Sequence, residues 1–447
     1  MDAVEHWHAL LLADGAPPPA FCDALAASMR DRRLTFGDRV HCPFLRPFFL
    51  SSADEARIRT AAEALAAAGE RVVRAAVESP ALAGQLGITE AEEALIRIDP
   101  GYHTASTASR VDAFVLPGAL HFAEYNAESP AGAGYTQRLC ELFDGLDVMG
   151  KFRAGHAISF HRPIDRLLEA LIASYREWGG TALPPAVAIV DWRDVPTWSE
   201  FEILADAFRT AGVPAIVCDP RELTFEHGSL TAQGRRIDLV YRRVLINDIV
   251  ARREECEALV AACAARAACV ANTFRCKLAH KKAFFAVLTD PRNEGMFSHA
   301  ELDVIRSHVP WTRVLRDGAA DRHGRRTGLL DVVRRERETL VLKPNDEYGG
   351  TGVTLGWEQD ERAWDAAVDR ALADPAGTWI VQDRIPVRRE TFPRFDADGR
   401  VTMGDMLVDL APYLFRGRMG GFLTRLSGSG LANVTSGGGQ VPAFVVD

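Results

Sequence analysis

The chain has 447 residues, 47% of them hydrophobic and 25% charged, with a formal net charge of −9. That length exceeds one ordinary core and predicts two or three domains, while the acidic balance excludes a non-specific nucleic-acid surface, which needs a basic face. No apolar run approaches the roughly 20 residues that cross a bilayer. The opening MDAVEHWHAL has acids and histidines where a signal peptide carries basic residues, so a cytoplasmic protein without a membrane partner is expected.

Residues 1–95 read as a helical N-terminal region, with SSADEARIRTAAEALAAAGERVVRAAVES opening on capping residues and repeating small apolar residues at helical spacing. Residues 96–159 hold a β-type stretch, SRVDAFVLPGALHFAEYNAESP, broken at Pro117-Gly118. Residues 160–271 alternate: AVAIVDW as a buried strand, SEFEILADAFRTAG as a helix, VPAIVCDP and IDLVYRRVLIND as strands. That is a βαβ pattern and predicts a parallel sheet. Cys256, Cys263, Cys269 and Cys276 follow in an alanine-rich stretch read as helical. Their spacing is wider than the C-x-x-C pairs of zinc sites, so they read as reduced packing residues. Residues 272–447 predict a helix from Lys281, the strand TLVLKP, the loop NDEYGGTG, a helix near 360–373, the strand TWIVQDRI and closing strands in VTMGDMLVDLAPYLF and GGFLTRLS. DGAADRHGRRTG, at 317–328, reads as an exposed loop.

Five segments carry residue types suited to chemistry. Arg110 with Asp112, and Glu124 with Asn126, are pairs two apart in strands, so each pair shares a face. Two carboxylates and an amide oxygen form a hard-donor set suited to Mg2+, although the same pattern describes a solvated hairpin face. In VLKPNDEYGGTGV, Lys343 ends an apolar strand and Gly349, Gly350 and Gly352 follow. Such a loop lets backbone N–H groups approach phosphate, and it equally describes a glycine-rich turn. In HKKAFFAVL, Lys281 or Lys282 starts a helix, where a cation is disfavoured unless an anion binds there; a solvated lysine pair is the plainer reading. TWIVQDRI presents a polar strand end that could meet an adenine edge or be an ordinary strand end. In GGFLTRLSGSGLANVTSGGGQVP, Arg425 and Asn433 precede three glycines, as in an anion-binding loop or a simple connection.

These segments, in this order, resemble the synthetase half of glutathionylspermidine synthetase and its circularly permuted ATP-grasp relatives. FAEYNAESP is similar to that family's F-x-E-Y-N-A-D-T-P motif, with the aspartate twelve residues before the glutamate. The resemblance implies a mixed α/β ATP-grasp fold, circularly permuted, with the helical N-terminal region and an inserted α/β substrate domain at 160–271. It implies ATP and Mg2+ as cofactors, with Asp112, Glu124 and Asn126 as metal ligands and Arg110 steadying the transferring phosphoryl group. It places the ATP contacts at Lys282, Lys343, the loop glycines and Gln382, with weaker roles for Arg425 and Asn433. The resemblance is to the synthetase half only, and no amidase half is expected; residues 160–250 are more similar to uncharacterised permuted relatives, so glutathione and spermidine are not carried over. The implied activity is a carboxylate–amine ligase acting through an acyl phosphate on a small-molecule or peptide carboxylate and an amine. A phosphotransferase and a non-catalytic nucleotide binder share most of these parts.

Two geometric expectations complete the reading. Only one of Arg242 and Arg243, weak choices for a substrate carboxylate clamp, can face the site, because neighbouring strand residues alternate. Arg110, Asp112, Glu124 and Asn126 must share one face. That requires an odd hairpin loop, expected as Pro117-Gly118-Ala119, or an even loop corrected by a β-bulge.

Overall fold

The computed structural model describes residues 2–37, 39–375, 377–428 and 438–447. Ser51 accepts a hydrogen bond from the Asp54 amide and so caps a long helix, α1 (Ser52–Glu78), with Asp54 and Glu55 in the first turn, where acids complement the helix dipole. Its buried stripe is largely alanine, interspersed with Ile58, Leu65 and Val72, which permits close approach to its neighbours. A Cβ at Gly69 would lie 3.1 Å from Tyr125 Cε1. Two short helices follow, α2 (Pro80–Leu86) and α3 (Glu90–Ile96), the second opened by a capping box between Thr89 and Glu92.

The hairpin of β1 (Ala108–Leu116) and β2 (Ala119–Asn126) turns through Pro117-Gly118, with Gly118 at φ 75°. The turn therefore holds two residues, which corrects the expected three-residue loop. Leu116 opposes Ala119 and the register runs evenly to Ala113 opposite Phe122; Asp112 then opposes Glu124, and Arg110 opposes Asn126. Ala123 is the extra residue of a β-bulge. It restores the parity that the even turn breaks, so all four polar residues share a face.

After α4 (Ala133–Asp144) and α5 (Pro163–Trp178) comes the expected α/β unit: β3 (Val187–Val190), α6 (Trp198–Thr210), β4 (Ala215–Cys218), β5 (Leu239–Arg242), α7 (Ile246–Ala251), α8 (Glu257–Ala264) and β6 (Cys269–Ala271). Its strands are parallel in the order β6-β5-β3-β4. The cysteine-bearing stretch is not one helix: Cys263 lies in α8, Cys269 opens β6 and Cys276 ends a 3-10 turn. All four of these thiols are buried, and burial pushes Cys256, Cys263 and Cys276 up to about 12.

The helix expected from Lys281 is instead two short ones, α9 (Lys277–His280) and α10 (Ala283–Leu288), on either side of Lys281-Lys282. Next in the chain are β7 (Thr312–Val314), β8 (Leu340–Pro344), β9 (Thr354–Leu355), α11 (Glu361–Ala373) and β10 (Trp379–Asp383). These strands form an antiparallel sheet ordered β7-β10-β8-β9. The stretch expected as a loop at 317–328 pairs Ala319–Arg322 with Arg325–Gly328 as a hairpin.

The chain closes with β11 (Arg388–Phe395), β12 (Val401–Phe415), β13 (Arg418–Ser427) and β14 (Gly439–Val441). They join the first hairpin in a six-stranded sheet of order β14-β13-β12-β1-β2, with β11 on the free part of β12. Segments Phe48–Ser51 and Ala443–Val446 pair in parallel, tying the two ends of the fold together. One apolar core runs from Trp7 to Phe444, a second lies by the parallel sheet and a third by β8, β10 and α11. Among the described residues, no helix is long and apolar enough to cross a membrane.

Candidate functional site

One face of the six-stranded sheet gathers Arg110, Asp112, Glu124, Asn126 and Arg425, five of the polar residues expected to carry chemistry. Arg110 opposes both Asn126 on β2 and Tyr413 on β12, while Asp409 opposes Arg425, and Arg425 opposes Gln440 on β14. Opposed residues share a face, so strand pairing alone brings residues more than three hundred positions apart into one row.

Within that row two arginines and two aspartates alternate. Arg110 Nε donates to Asp112 Oδ1 at 2.9 Å, Arg425 Nη2 donates to Asp112 Oδ2, and Arg425 Nε donates to Asp409 Oδ2 at 2.6 Å. All are buried or nearly so. Burial acts to raise the Asp112 carboxyl, but the Arg110 and Arg425 guanidiniums outweigh it and hold the group well below the usual carboxylate range. Burial wins at Asp409, which also faces Asp112 and is pushed up to about 6. Asp409 carries no motif; its signal was a lone acid inside the apolar strand run MLVDLAPYLF.

Beside this row lies a small cleft whose lining includes Glu124, Lys281, Lys282, Lys343 and Gln382. Lys343 Nζ donates to Gln382 Oε1 at 2.7 Å and to the Ala123 carbonyl at 3.4 Å, so the bulge of the first hairpin meets the end of β8. Burial pushes the Lys343 amine down to about 8. Lys282 Nζ donates to the Glu347 carbonyl and lies 3.6 Å from Glu124 Oε2. The neighbouring Lys281 is committed elsewhere, to Glu92 and Asp346, each at 2.6 Å. The glycine-rich loop rises next to Lys343, with Gly349, Gly350 and Gly352 at φ 65°, 80° and 73°. A Cβ at Gly352 would also lie 2.7 Å from Pro344 Cγ, so glycine is needed there twice over.

Among the described residues no group of three or more His, Cys, Asp or Glu is placed to hold a metal ion. Glu124 and Asn126 are hard oxygen donors of the kind Mg2+ takes, and that ion needs only one or two carboxylates beside nucleotide phosphates and water. Glu124 is the accessible carboxylate, with a side chain 27% exposed. Asn126 Nδ2 faces both Asp112 Oδ1 at 3.1 Å and Glu124 Oε1 at 3.4 Å, and rotating the amide presents its oxygen on the same side. Asp112 could join only by yielding its Arg425 contact.

Arg242 and Arg243 diverge, as alternation requires. Arg242 is fully buried against Glu128 and the carbonyls of Asn272 and Val244. Arg243 turns towards the Pro130 carbonyl and Tyr241 Oη. The Ala131 carbonyl next in the chain accepts from Arg110 Nη1 and from Tyr413 Oη, so the 127–132 loop ties Arg243 to the arginine–aspartate row. Asn433 and Gly437 lie outside the described residues, whereas Gly439 pairs with Leu426.

No protein-family model and no curated protein matches the sequence. Solved structures do. A glutathione synthetase-like effector from Globodera pallida, in its apo form, superposes with a TM-score of 0.59 at 13% identity over 96% of this chain and 98% of that one. A putative gamma-glutamylcysteine synthetase from Methylobacillus flagellatus KT gives a TM-score of 0.38 at 11% identity, with 82% of each chain covered, which is too distant to carry an argument. The first likeness shows the fold: this is a mixed α/β chain of glutathione synthetase-like architecture.

Proposed function

We propose that the chain is an ADP-forming carboxylate–amine ligase of the ATP-grasp kind, circularly permuted as in the glutathionylspermidine synthetase-like group. The observation that carries this reading is the meeting of Glu124, Lys282, Lys343 and Gln382 around one cleft beside the Arg110–Asp112–Arg425 row. The neighbour of like fold, described as glutathione synthetase-like, supports it.

Lys282 and Lys343 hold the ATP phosphates as point charges, the glycine-rich loop covers them and Gln382 meets the adenine. Glu124 and Asn126, with Asp112, would hold Mg2+, which when bound neutralises charge on the phosphate oxygens. A substrate carboxylate oxygen attacks the γ-phosphorus, the bond to the bridging oxygen breaks, and ADP leaves with that electron pair. Arg110 stabilises the charge on the transferring group in a site with little water. An amine then attacks the acyl carbon and inorganic phosphate departs, the amine's proton being lost to solvent or phosphate. Asp191 and Arg243 follow the C-terminal ends of β3 and β5, where the strand order switches direction, the usual place for a ligand crevice in a parallel sheet. By that rule the substrate is assigned to this end of the sheet.

A screen for ADP release over pooled carboxylates and amines tests the reading. Steady ADP and phosphate only in the presence of an amine is the expected result. ADP with a phosphorylated acceptor and no amine requirement would make the chain a phosphotransferase, and AMP with pyrophosphate would end the acyl-phosphate mechanism.

A further inference from the structure

The segment that roots the glycine-rich loop is fixed by charged contacts for which the site motifs assign no role. Asn345 and Asp346 follow β8 directly. Asn345 is 3% exposed; its amide donates to the Leu86 carbonyl at 2.9 Å and its side-chain oxygen accepts from the Ala283 amide at 2.7 Å. Its own carbonyl accepts from the Lys282 amide at 2.9 Å. Asp346 then divides its carboxylate between two lysines at opposite ends of α9: Oδ1 accepts from Lys277 Nζ at 2.7 Å, and Oδ2 from Lys281 Nζ at 2.6 Å. Only two residues further on, Tyr348 is 65% exposed at the loop tip.

This network closes on itself. Lys277 also meets Glu128 at 3.4 Å, Lys281 meets Glu92, and Arg242 meets Glu128 at 3.2 Å. Three acids stand against three cations. Burial acts to lower the Lys277 amine, but Glu128 and Asp346 outweigh it and keep the group charged; burial pushes the neighbouring His280 down to about 4, so it adds no charge near neutral pH. Neither lysine therefore has charge to spare for a phosphate: both Lys281 and Lys282 line the cleft, but only Lys282 has an ammonium that is not held between two carboxylates.

We propose that Asp346 is a positioning residue for nucleotide binding: clamped by Lys277 and Lys281, it holds the root of the glycine-rich loop against the segment that carries Lys282, so that the loop amides and the Lys282 ammonium keep a fixed spacing. The physical reason is leverage. Three glycines with left-handed backbone make a pliant loop, and its amides are preorganised for phosphate only if the strand-side end does not move. The proposal rests on the ATP reading above.

The test compares the full-length protein with Asp346→Asn and with the charge-balanced double variant Asp346→Asn/Lys281→Met. Three quantities are measured: melting temperature, amide hydrogen exchange of residues 346–352, and the Kd of a fluorescent ATP analogue with Mg2+. Asp346→Asn should speed exchange in that loop and weaken the analogue by about tenfold or more, as expected for loss of charge-assisted hydrogen bonds. The double variant should recover melting temperature, because two acids, Glu92 and Glu128, again stand against two cations, Lys277 and Arg242, yet recover neither loop protection nor affinity. Wild-type affinity in the double variant, or unchanged loop exchange in either, overturns the proposal. Should the single variant not fold, the double variant decides alone. Failure of the wild-type protein to bind the analogue sinks the ATP reading, and the exchange arm still decides whether Asp346 anchors the loop.

Discussion

Asp112 lies directly opposite Glu124 across the first hairpin although a turn of only two residues joins their strands, because Ala123 is bulged out of β2. The bulged residue also has a job: its carbonyl accepts from Lys343 Nζ at 3.4 Å. One irregularity thus sets the facing of four polar side chains and touches the lysine at the end of β8. Bulges are over-represented next to functional sites for this kind of re-aiming.

Deleting Ala123 should leave that facing intact: with the two-residue turn unchanged, Ala113 still opposes Phe122, and Glu124 then follows directly opposite Asp112 with no residue left over. What the deletion removes is the carbonyl that accepts from Lys343 Nζ. Mg2+-dependent nucleotide binding, measured by calorimetry, should therefore survive in the folded deletion variant, weakened by the loss of that one contact. Complete loss of Mg2+-dependent binding in a folded deletion variant would show that the shared face is not what the site requires.

Lys343→Ala should weaken ATP binding by about tenfold or more, since a hydrogen bond to a charged group contributes roughly 1.5–3 kcal/mol. Stability should not fall with it. Burial pushes the Lys343 amine down, so holding it charged in the free protein is a cost that the alanine variant does not bear. Equilibrium binding and a urea melt on one preparation separate the two effects; unchanged affinity in a folded variant places the strand lysine away from the phosphates.

Much of this arrangement was legible in the residue order, and the rest was hidden for a physical reason. Strand positions and the parallel sheet follow from alternation and apolar runs, and the pairing of Asp112 with Glu124 follows from parity. The bulge itself does not, because FAEYN offers no turn residue to mark it. Lys277 and Asp346 are 69 positions apart, and Asp112 and Arg425 are 313 apart. Such pairs are made by tertiary packing, and neither residue's local surroundings signal the partner. Lys281 shows the same limit. It reads as one of two equivalent lysines at a helix start, yet the break between α9 and α10 ties its ammonium into a buried ion network, which Lys282 does not join.

Stability should respond to acid through two groups of opposite sign. Burial pushes His41 and His280 down to about 4. Above pH 6.5 these histidines are neutral folded or unfolded and contribute nothing. Between pH 6.5 and 4 the unfolded chain takes up the proton first, so stability falls, by up to about 3 kcal/mol for each. Burial pushes Asp191 up to about 6, which works the other way: below pH 6 the folded form binds the proton first and stability rises down to about pH 4. Urea midpoints at pH 7 and pH 4.5 should therefore converge in His280→Gln and diverge further in Asp191→Asn, relative to wild type. Equal pH responses in all three proteins would show that these groups titrate normally.

Nucleotide binding should be coupled to proton uptake at Lys343. In the free protein its amine is held down to about 8 by burial, with Lys282 opposing and Glu124 supporting the charge. At pH 9 most of the free protein therefore carries a neutral amine at the end of β8. A bound triphosphate raises that pKa, because an opposite charge within hydrogen-bonding distance favours the ammonium. The complex must then take up close to one proton at pH 9 and almost none at pH 6.5, and affinity should fall about tenfold per pH unit once the pH is well above 8. Titrating ATP at pH 9 in two buffers of different ionisation enthalpy gives the proton count directly. Lys343→Met should remove both the uptake and the pH dependence near 8, leaving a weaker, flatter binding curve. The comparison isolates Lys343 from Lys282, which keeps its own contact with the Glu347 carbonyl in either protein. Uptake that persists in Lys343→Met would assign the proton to another group and remove Lys343 from the phosphate site.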